Sequence, residues 1–466
     1  MGTERALAGE IGEYVVTESM ESVDEATRTQ LRHLVLDSIA VTLGGTQLPQ
    51  GRRMAEFWEP LAGDGSATAH GAGRPLPAPM AAYLNSYLAN LLDFDDTYSG
   101  RAIGHPGATV VQPALAIAER EDATGRELLD SVLAGYEVSV RVGDAIMPTP
   151  ERSRAVAATA TWQVFGATVA ASRLLGSDAE TVAHALGLTG VSAPVPAVRK
   201  VGIEDDEHHD LKNNYGWASM AGVKSALLAE SGFSGNRTIF DGEKGFWRMA
   251  ASDSFDASLL RSMPGEERLV NAVSFKPYSS CRWSHATLDC LAELDLPPNA
   301  TVESVRVETF HEAATLDDYP ESVIDAQFSV PYVVAVHLLG VPTGYEWLRP
   351  GRVRSREVRD LAARVELVAD PEMTAAYEAT GQMQARVTVE LADGTERHAS
   401  VDHPLGDPGN PLSYERVGSK YDALVEPLLG EERAAELKER VLTLEREDSV
   451  RDLCRLLSPL ERPVEG

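Results

Sequence analysis

A chain of 466 residues is too long for a single hydrophobic core, so two domains are expected, and 43% hydrophobic with 24% charged residues is an ordinary globular balance. The formal net charge of −29, from 71 acidic and 42 basic side chains, would repel a phosphate backbone and argues against a nucleic-acid partner. No run of about eighteen apolar residues offers a membrane span. The start, Met1-Gly2-Thr3-Glu4-Arg5, leads into no apolar signal segment, and Cys281, Cys290 and Cys454 are too few and scattered for a disulfide framework. A cytoplasmic protein is expected.

In chain order, apolar residues recur at three- and four-residue spacing over 31–43, 79–92, 110–119, 127–142, 162–175 and 218–230, which predicts helices almost throughout the first 246 residues. Breakers such as Gly44-Gly45, Pro148-Thr149-Pro150 and Gly232-Phe233-Ser234-Gly235 separate them. The pattern changes near Asn271. Residues 302–310, 364–368, 386–391 and 396–401 alternate as half-buried strands do, and Ala392-Asp393-Gly394-Thr395 between the last two is a hairpin signal. Helical stretches fall between them at 281–294 and 332–339. After Gly406 to Pro411 the pattern returns to helix, with Ser413 capping Tyr414 onward. The expected architecture is therefore mainly α. A large all-helical domain, 1–270 plus 405–466, carries an inserted smaller α+β domain, 271–404.

The most informative stretch is Asp93-Phe94-Asp95-Asp96-Thr97, followed by Gly104-His105-Pro106-Gly107. Three carboxylates, a hydroxyl and an imidazole converge where the helix over 79–92 should end, and such a group can move protons near neutral pH. Taken alone, the aspartates are equally well read as turn formers at a helix end. Lysine is rare, with only Lys200, Lys212, Lys224, Lys244, Lys276, Lys420 and Lys438. An acidic, lysine-poor surface suits a high-salt cytoplasm, where screening removes self-repulsion; an acidic proteome at ordinary salinity would look the same. Glu207-His208-His209-Asp210 has metal-ligand residue types, but consecutive side chains diverge and it reads as a solvated loop. Neither Cys281 with His285 nor Phe310-His311-Glu312 completes a metal motif. No phosphate loop or nucleotide fingerprint is present, so no cofactor and no metal are expected.

The Asp-Phe-Asp-Asp-Thr and His-Pro-Gly pair resembles the active-site segment of the MmgE/PrpD family, which includes 2-methylcitrate dehydratases and cis-aconitate decarboxylases. The resemblance continues through Leu36 to Ala40, Asp241 to Phe246, Phe275-Lys276-Pro277-Tyr278, Cys281 to His285, Ala326 to Tyr332, and Gly406 to Ser413. It implies a helical domain with a lid domain, a homodimer, and a lyase acting on a small carboxylate substrate. Removing a proton alpha to a carboxylate builds charge on an oxygen that is already negative, so cations and a base are needed.

The resemblance assigns Asp93 as the base or part of an acid/base pair, with a pKa raised by Asp95 or Asp96, and His105 as the proton donor. Thr97 would hold a substrate carboxylate or hydroxyl. Lys212 and Lys276 would clamp two carboxylates between the domains, although either lysine could simply pair with the protein's own acids. Arg282 is a candidate for a bidentate carboxylate contact. Decarboxylase-like members carry histidines where this chain has Ala157 and Cys281, and a tyrosine where it has Val330. Those losses argue against cis-aconitate decarboxylation and leave His285 as a candidate replacement imidazole. The expected activity is a hydro-lyase of 2-methylcitrate type. The alternatives are an isomerase or decarboxylase on the same scaffold, or a catalytically lapsed carboxylate binder.

Overall fold

A computed structural model describes residues 5–196 and 210–457, apart from 262, 266, 298 and 299. Short turns aside, the chain runs α1 (Leu7–Thr17), α2 (Glu25–Gly45), α3 (Pro49–Trp58), α4 (Ala78–Leu91), β1 (Thr97–Ser99), β2 (Ile103–Gly104), α5 (Pro106–Glu121), α6 (Gly125–Ala145), α7 (Thr159–Leu174), α8 (Ala179–Gly190) and α9 (Tyr215–Glu230). It continues with β3 (Val273–Ser274), α10 (His285–Glu293), β4 (Val302–Thr309), α11 (Val330–Leu338), β5 (Val365–Ala369), β6 (Ala385–Leu391), β7 (Glu396–Val401), α12 (Tyr414–Leu429), α13 (Glu431–Leu442) and α14 (Val450–Leu457). Every helix and strand expected from periodicity is present within a few residues. The Asp24 carboxylate caps α2 through the Thr27 amide, and Thr124 with Glu127 forms a capping box at α6.

The helices α4, α5, α6, α7 and α9 pack against one another, with α2 between α4 and α12. Their burial explains their composition. In α4 every residue from Ala81 to Leu91 is buried, so the helix is apolar or small all round rather than striped. The last helices close back on this bundle: the Gly125 amide donates to the Glu447 carbonyl at 2.8 Å, and the Val450 amide to the Ala123 carbonyl at 2.8 Å. One apolar core runs without interruption from α1 through α11 to α14, and a satellite core of Phe310, Ala313, Met373 and Met383 lies beneath the four-stranded sheet region. No described helix is long and apolar enough to cross a membrane.

The second half holds a sheet of order β5-β4-β6-β7, in which only β4 and β5 are parallel. The β6–β7 hairpin turns through Gly394 at φ +80°, as its sequence predicts.

The all-helical expectation for 1–270 needs correction. A second sheet, β2-β1-β3, sits directly after the Asp-Phe-Asp-Asp segment, pairing Thr97 with Ser274 and Tyr98 with Val273. Strands of two or three residues have no period to detect; they exist because distant backbone groups meet and pair. This small sheet carries Lys276, two residues beyond Ser274, to the end of α4.

Candidate active site

The site begins where α4 ends. Asp93 occupies the position after the Leu92 cap and has φ +50°, in the left-handed region where a helix stop usually carries glycine. Its amide returns to the Asn90 carbonyl at 3.0 Å. Lys212, at φ +49°, is likewise left-handed, and Asn214 follows at φ +59° before α9. Two strained non-glycine residues thus form one ion pair, a cost of roughly 1–3 kcal/mol each that the surrounding contacts must hold in place.

Asp93 is 2% exposed and is gripped by both lysines: Lys212 Nζ lies 3.2 Å from Oδ1 and Lys276 Nζ 3.3 Å from Oδ2. Each ammonium group has two further acceptors. Lys212 donates to the Asn90 carbonyl at 2.6 Å and to Gln327 Oε1 at 2.7 Å. Lys276 donates to the Asp93 carbonyl at 2.9 Å and the Ser280 carbonyl at 3.2 Å. Gln327 is held in turn by donating to the Leu91 carbonyl at 2.8 Å.

Burial would raise the Asp93 pKa, but the charges of Lys212 and Lys276, then His105, outweigh it and hold the carboxyl well below its usual range. The expected rise from neighbouring aspartates is therefore corrected: the lysines dominate at Asp93, and the rise falls on Asp96. Burial, with help from Asp95 and Asp37, pushes Asp96 up to about 8, against the hydrogen bond from Tyr136. Asp96 accepts from Tyr136 Oη at 2.7 Å and from the Gly107 amide at 2.9 Å. Gly107 is required there, because a Cβ would sit 2.7 Å from both Asp96 Oδ1 and Tyr136 Oη.

His105 precedes α5. Its Nδ1 is 2.9 Å from the Asp96 carbonyl, an acceptor only, so Nδ1 carries the hydrogen and Nε2 presents a lone pair. Thr97 Oγ1 at 3.4 Å and Asp95 Oδ1 at 3.5 Å flank the same nitrogen, and Asp95 is fixed by Asn90 Nδ2 at 3.0 Å. Burial lowers the His105 pKa despite Asp95. The ring is thus a neutral acceptor at neutral pH rather than the standing donor the sequence suggested. With its side chain 13% exposed, it is less enclosed than Asp93, Lys212 or Lys276.

Arg282 and His285 do not join this reactive face. Arg282 Nη1 donates to the Leu405 carbonyl at 2.8 Å and to His285 Nδ1 at 2.9 Å, while Nη2 meets the Pro404 carbonyl and the Asp407 carboxylate. It pins the loop around Gly406. His285 accepts at Nδ1 and reaches the Ser280 carbonyl from Nε2 at 3.2 Å, so both nitrogens are used. Burial, with Arg282 and Lys276, holds its pKa well below the usual value. Both His285 nitrogens are used, and Arg282 keeps only a buried, unpartnered Nε, so neither side chain offers substrate an open group and the structure supports a loop-holding role for both.

The altered positions behave consistently. Cys281 lies near Asp93; burial first, then the Asp93 charge, push its thiol up to about 12. Val330 is buried at the start of α11, and the Tyr332 hydroxyl is bonded to the Trp347 carbonyl, so Tyr332 does not replace the missing phenol. Ala157 lies just before α7. Residues 207–209 lie outside the described residues, and Asp210 pairs with Arg53 at 2.8 Å. Sequence reasoning passed over Asn90, Gln327, Tyr136 and the buried pair Asp37–Lys420. The available signals were polar residues within or beside apolar helices, and the fact that Lys420 is one of only seven lysines.

Residues 9–258 match the MmgE/PrpD N-terminal domain and residues 278–446 the MmgE/PrpD C-terminal domain. The chain belongs to the MmgE/PrpD family. It is 23% identical to a cis-aconitate decarboxylase of Aspergillus terreus over 98% of this chain and 97% of that protein. The mouse and human cis-aconitate decarboxylases are each 24% identical, over 91% and 89% of this chain and 88% and 86% of their own lengths. At that distance family membership is shown, and the substrate is not.

Proposed function

We propose that this MmgE/PrpD protein is a cofactor-free lyase on a small polycarboxylate, of hydro-lyase type on a hydroxy di- or tricarboxylate resembling 2-methylcitrate. The observation that carries the reading is the neutral His105, its Nε2 lone pair open, beside a carboxylate held between two ammonium groups. Charge developing on a substrate carboxylate as its alpha proton leaves is stabilised by cations already fixed in a water-poor site. His105 takes that proton. The departing hydroxyl takes one from Lys212, whose pKa is lowered by burial against the opposing charge of Asp93, and leaves as water. A substrate carboxylate that competes for Lys212 also loosens its hold on Asp93, so binding restores basicity to that carboxyl. Thr97, beside His105, contacts the substrate hydroxyl or carboxylate.

Residues 271–404 supply Lys276 and Gln327 and act as a lid over the helical remainder, excluding water; the helical part forms a homodimer. The acidic surface adapts the protein to high salt, and its unfolding temperature is expected to rise from dilute buffer to molar KCl.

Decarboxylation is the second reading, favoured by the names of the fungal and mammalian relatives. Against it, Cys281 stays protonated, Tyr332 and His285 are fully bonded, and among the described residues no side chain stands in for the groups absent at Ala157, Cys281 and Val330. Proton NMR in D2O with 2-methylcitrate, citrate, cis-aconitate and smaller hydroxydiacids separates the cases. A vinyl product from a hydroxy acid supports the hydro-lyase. Loss of carbon dioxide from cis-aconitate supports the decarboxylase, and deuterium wash-in without a new product supports an isomerase. No change with any of them, from folded protein, overturns the lyase reading.

A further inference from the structure

Lys212, Lys276 and Lys420 are the buried lysines among the described residues. Lys420 belongs to α12, and its ammonium group reaches back 326 positions to the Phe94 carbonyl at 2.5 Å. It also donates to the Lys276 carbonyl at 3.2 Å, pairs with Asp37 Oδ1 of α2 at 2.6 Å, and lies 4.0 Å from the centre of the Phe94 ring. Its ammonium group therefore has three partners, two carbonyls that accept hydrogen bonds and one carboxylate that pairs with its charge. The carbonyls are those of Phe94, next to Asp93, and of Lys276 itself. The remaining partner, Asp37, is 1% exposed and has no other ion-pair partner among the described residues.

We propose that Lys420 is a positioning residue: its ammonium group staples the Phe94 carbonyl to the Lys276 carbonyl, fixing Asp93 and Lys276 relative to each other from behind, with Asp37 as the counter-ion that retains it. Lys276 meets Asp93 only at the tip of its flexible side chain, 3.3 Å from Oδ2 and 2.9 Å from the carbonyl, which by itself tolerates sliding. A second tie through the backbone removes that freedom. The assignment differs from a buried ion pair that merely neutralises Asp37, since that role needs no bond to either carbonyl.

The test uses the full chain, with Lys420→Met, Lys420→Arg and the double variant Asp37→Asn/Lys420→Met, which removes both charges and guards against a single variant that fails to fold. Hydrogen exchange over 93–98 and 275–281, measured without substrate, reads the positioning directly. Both segments should exchange faster in Lys420→Met and in the double variant, while β6 is unchanged. Lys420→Arg should recover part of the protection. The effect on turnover rests on the lyase reading: kcat should fall about 100-fold from misplacement of the cluster, with KM little moved.

If the double variant regains wild-type exchange and kcat, Lys420 is only a counter-ion and the proposal is overturned. Unchanged exchange in both segments overturns it whatever turnover does. Faster local exchange in a protein that turns over no polycarboxylate supports the positioning and sinks the lyase reading instead.

Discussion

Two imidazoles, half-buried His105 and buried His285, feel the charge of the lysine cluster, and only one of them keeps an open nitrogen. His105 gives one nitrogen to the Asp96 carbonyl and leaves the other open. His285 gives one to Arg282 and the other to the Ser280 carbonyl, the same oxygen that holds Lys276. Both have depressed pKa values, with burial the largest cause. A perturbed pKa alone would not tell them apart. The count of unused valences does: His105 keeps an open nitrogen and His285 does not.

The largest effect is expected where both sides of the cluster depend on one atom group. Asp93→Asn should abolish turnover and, by leaving two buried ammonium groups without their carboxylate, cost about 3–5 kcal/mol of stability. Unfolding in denaturant with NMR-detected turnover would check both. His105→Gln should lower kcat by about 10²–10⁴-fold, the range for losing a general base, with an almost unchanged unfolding midpoint. His285→Gln should show the reverse: a loss of about 1–3 kcal/mol for broken buried hydrogen bonds, with kcat well above that of the His105 variant. Equal kcat losses in the two histidine variants would break the comparison.

Gly406→Ala probes the loop that Arg282 pins. At φ +97° and with a Cβ 2.0 Å from the Phe275 carbonyl, it should cost more than about 1 kcal/mol while sparing His105.

The gentlest test is pH. His70 is buried with an unpartnered Nδ1, and burial lowers its pKa to about 4. Below about 6.5 the unfolded chain takes up a proton there that the folded chain refuses, so stability falls as pH drops from 6.5 toward 4. Relative to His70→Gln, the wild type should lose at most about 1.4 kcal/mol per pH unit in that window.

The sequence by itself determined the helices, the four strands of the larger sheet and the hairpin, because local period and turn chemistry suffice for those. It also pointed to Asp93, Thr97, His105, Lys212 and Lys276 as one group, since the resemblance carries residue types in order, and the structure brings all five together. The small sheet β2-β1-β3 was decided only by tertiary pairing. So were the competing fields that lower Asp93 and raise Asp96, because each depends on which charge lies nearest, and residue order does not encode distance. The same holds for the assignment of Arg282 and His285 to loop and carbonyl, and for the reach of Lys420 from the last third of the chain to Phe94. A side chain's role depends on which of its valences the fold has already filled, and that is settled only when distant segments meet.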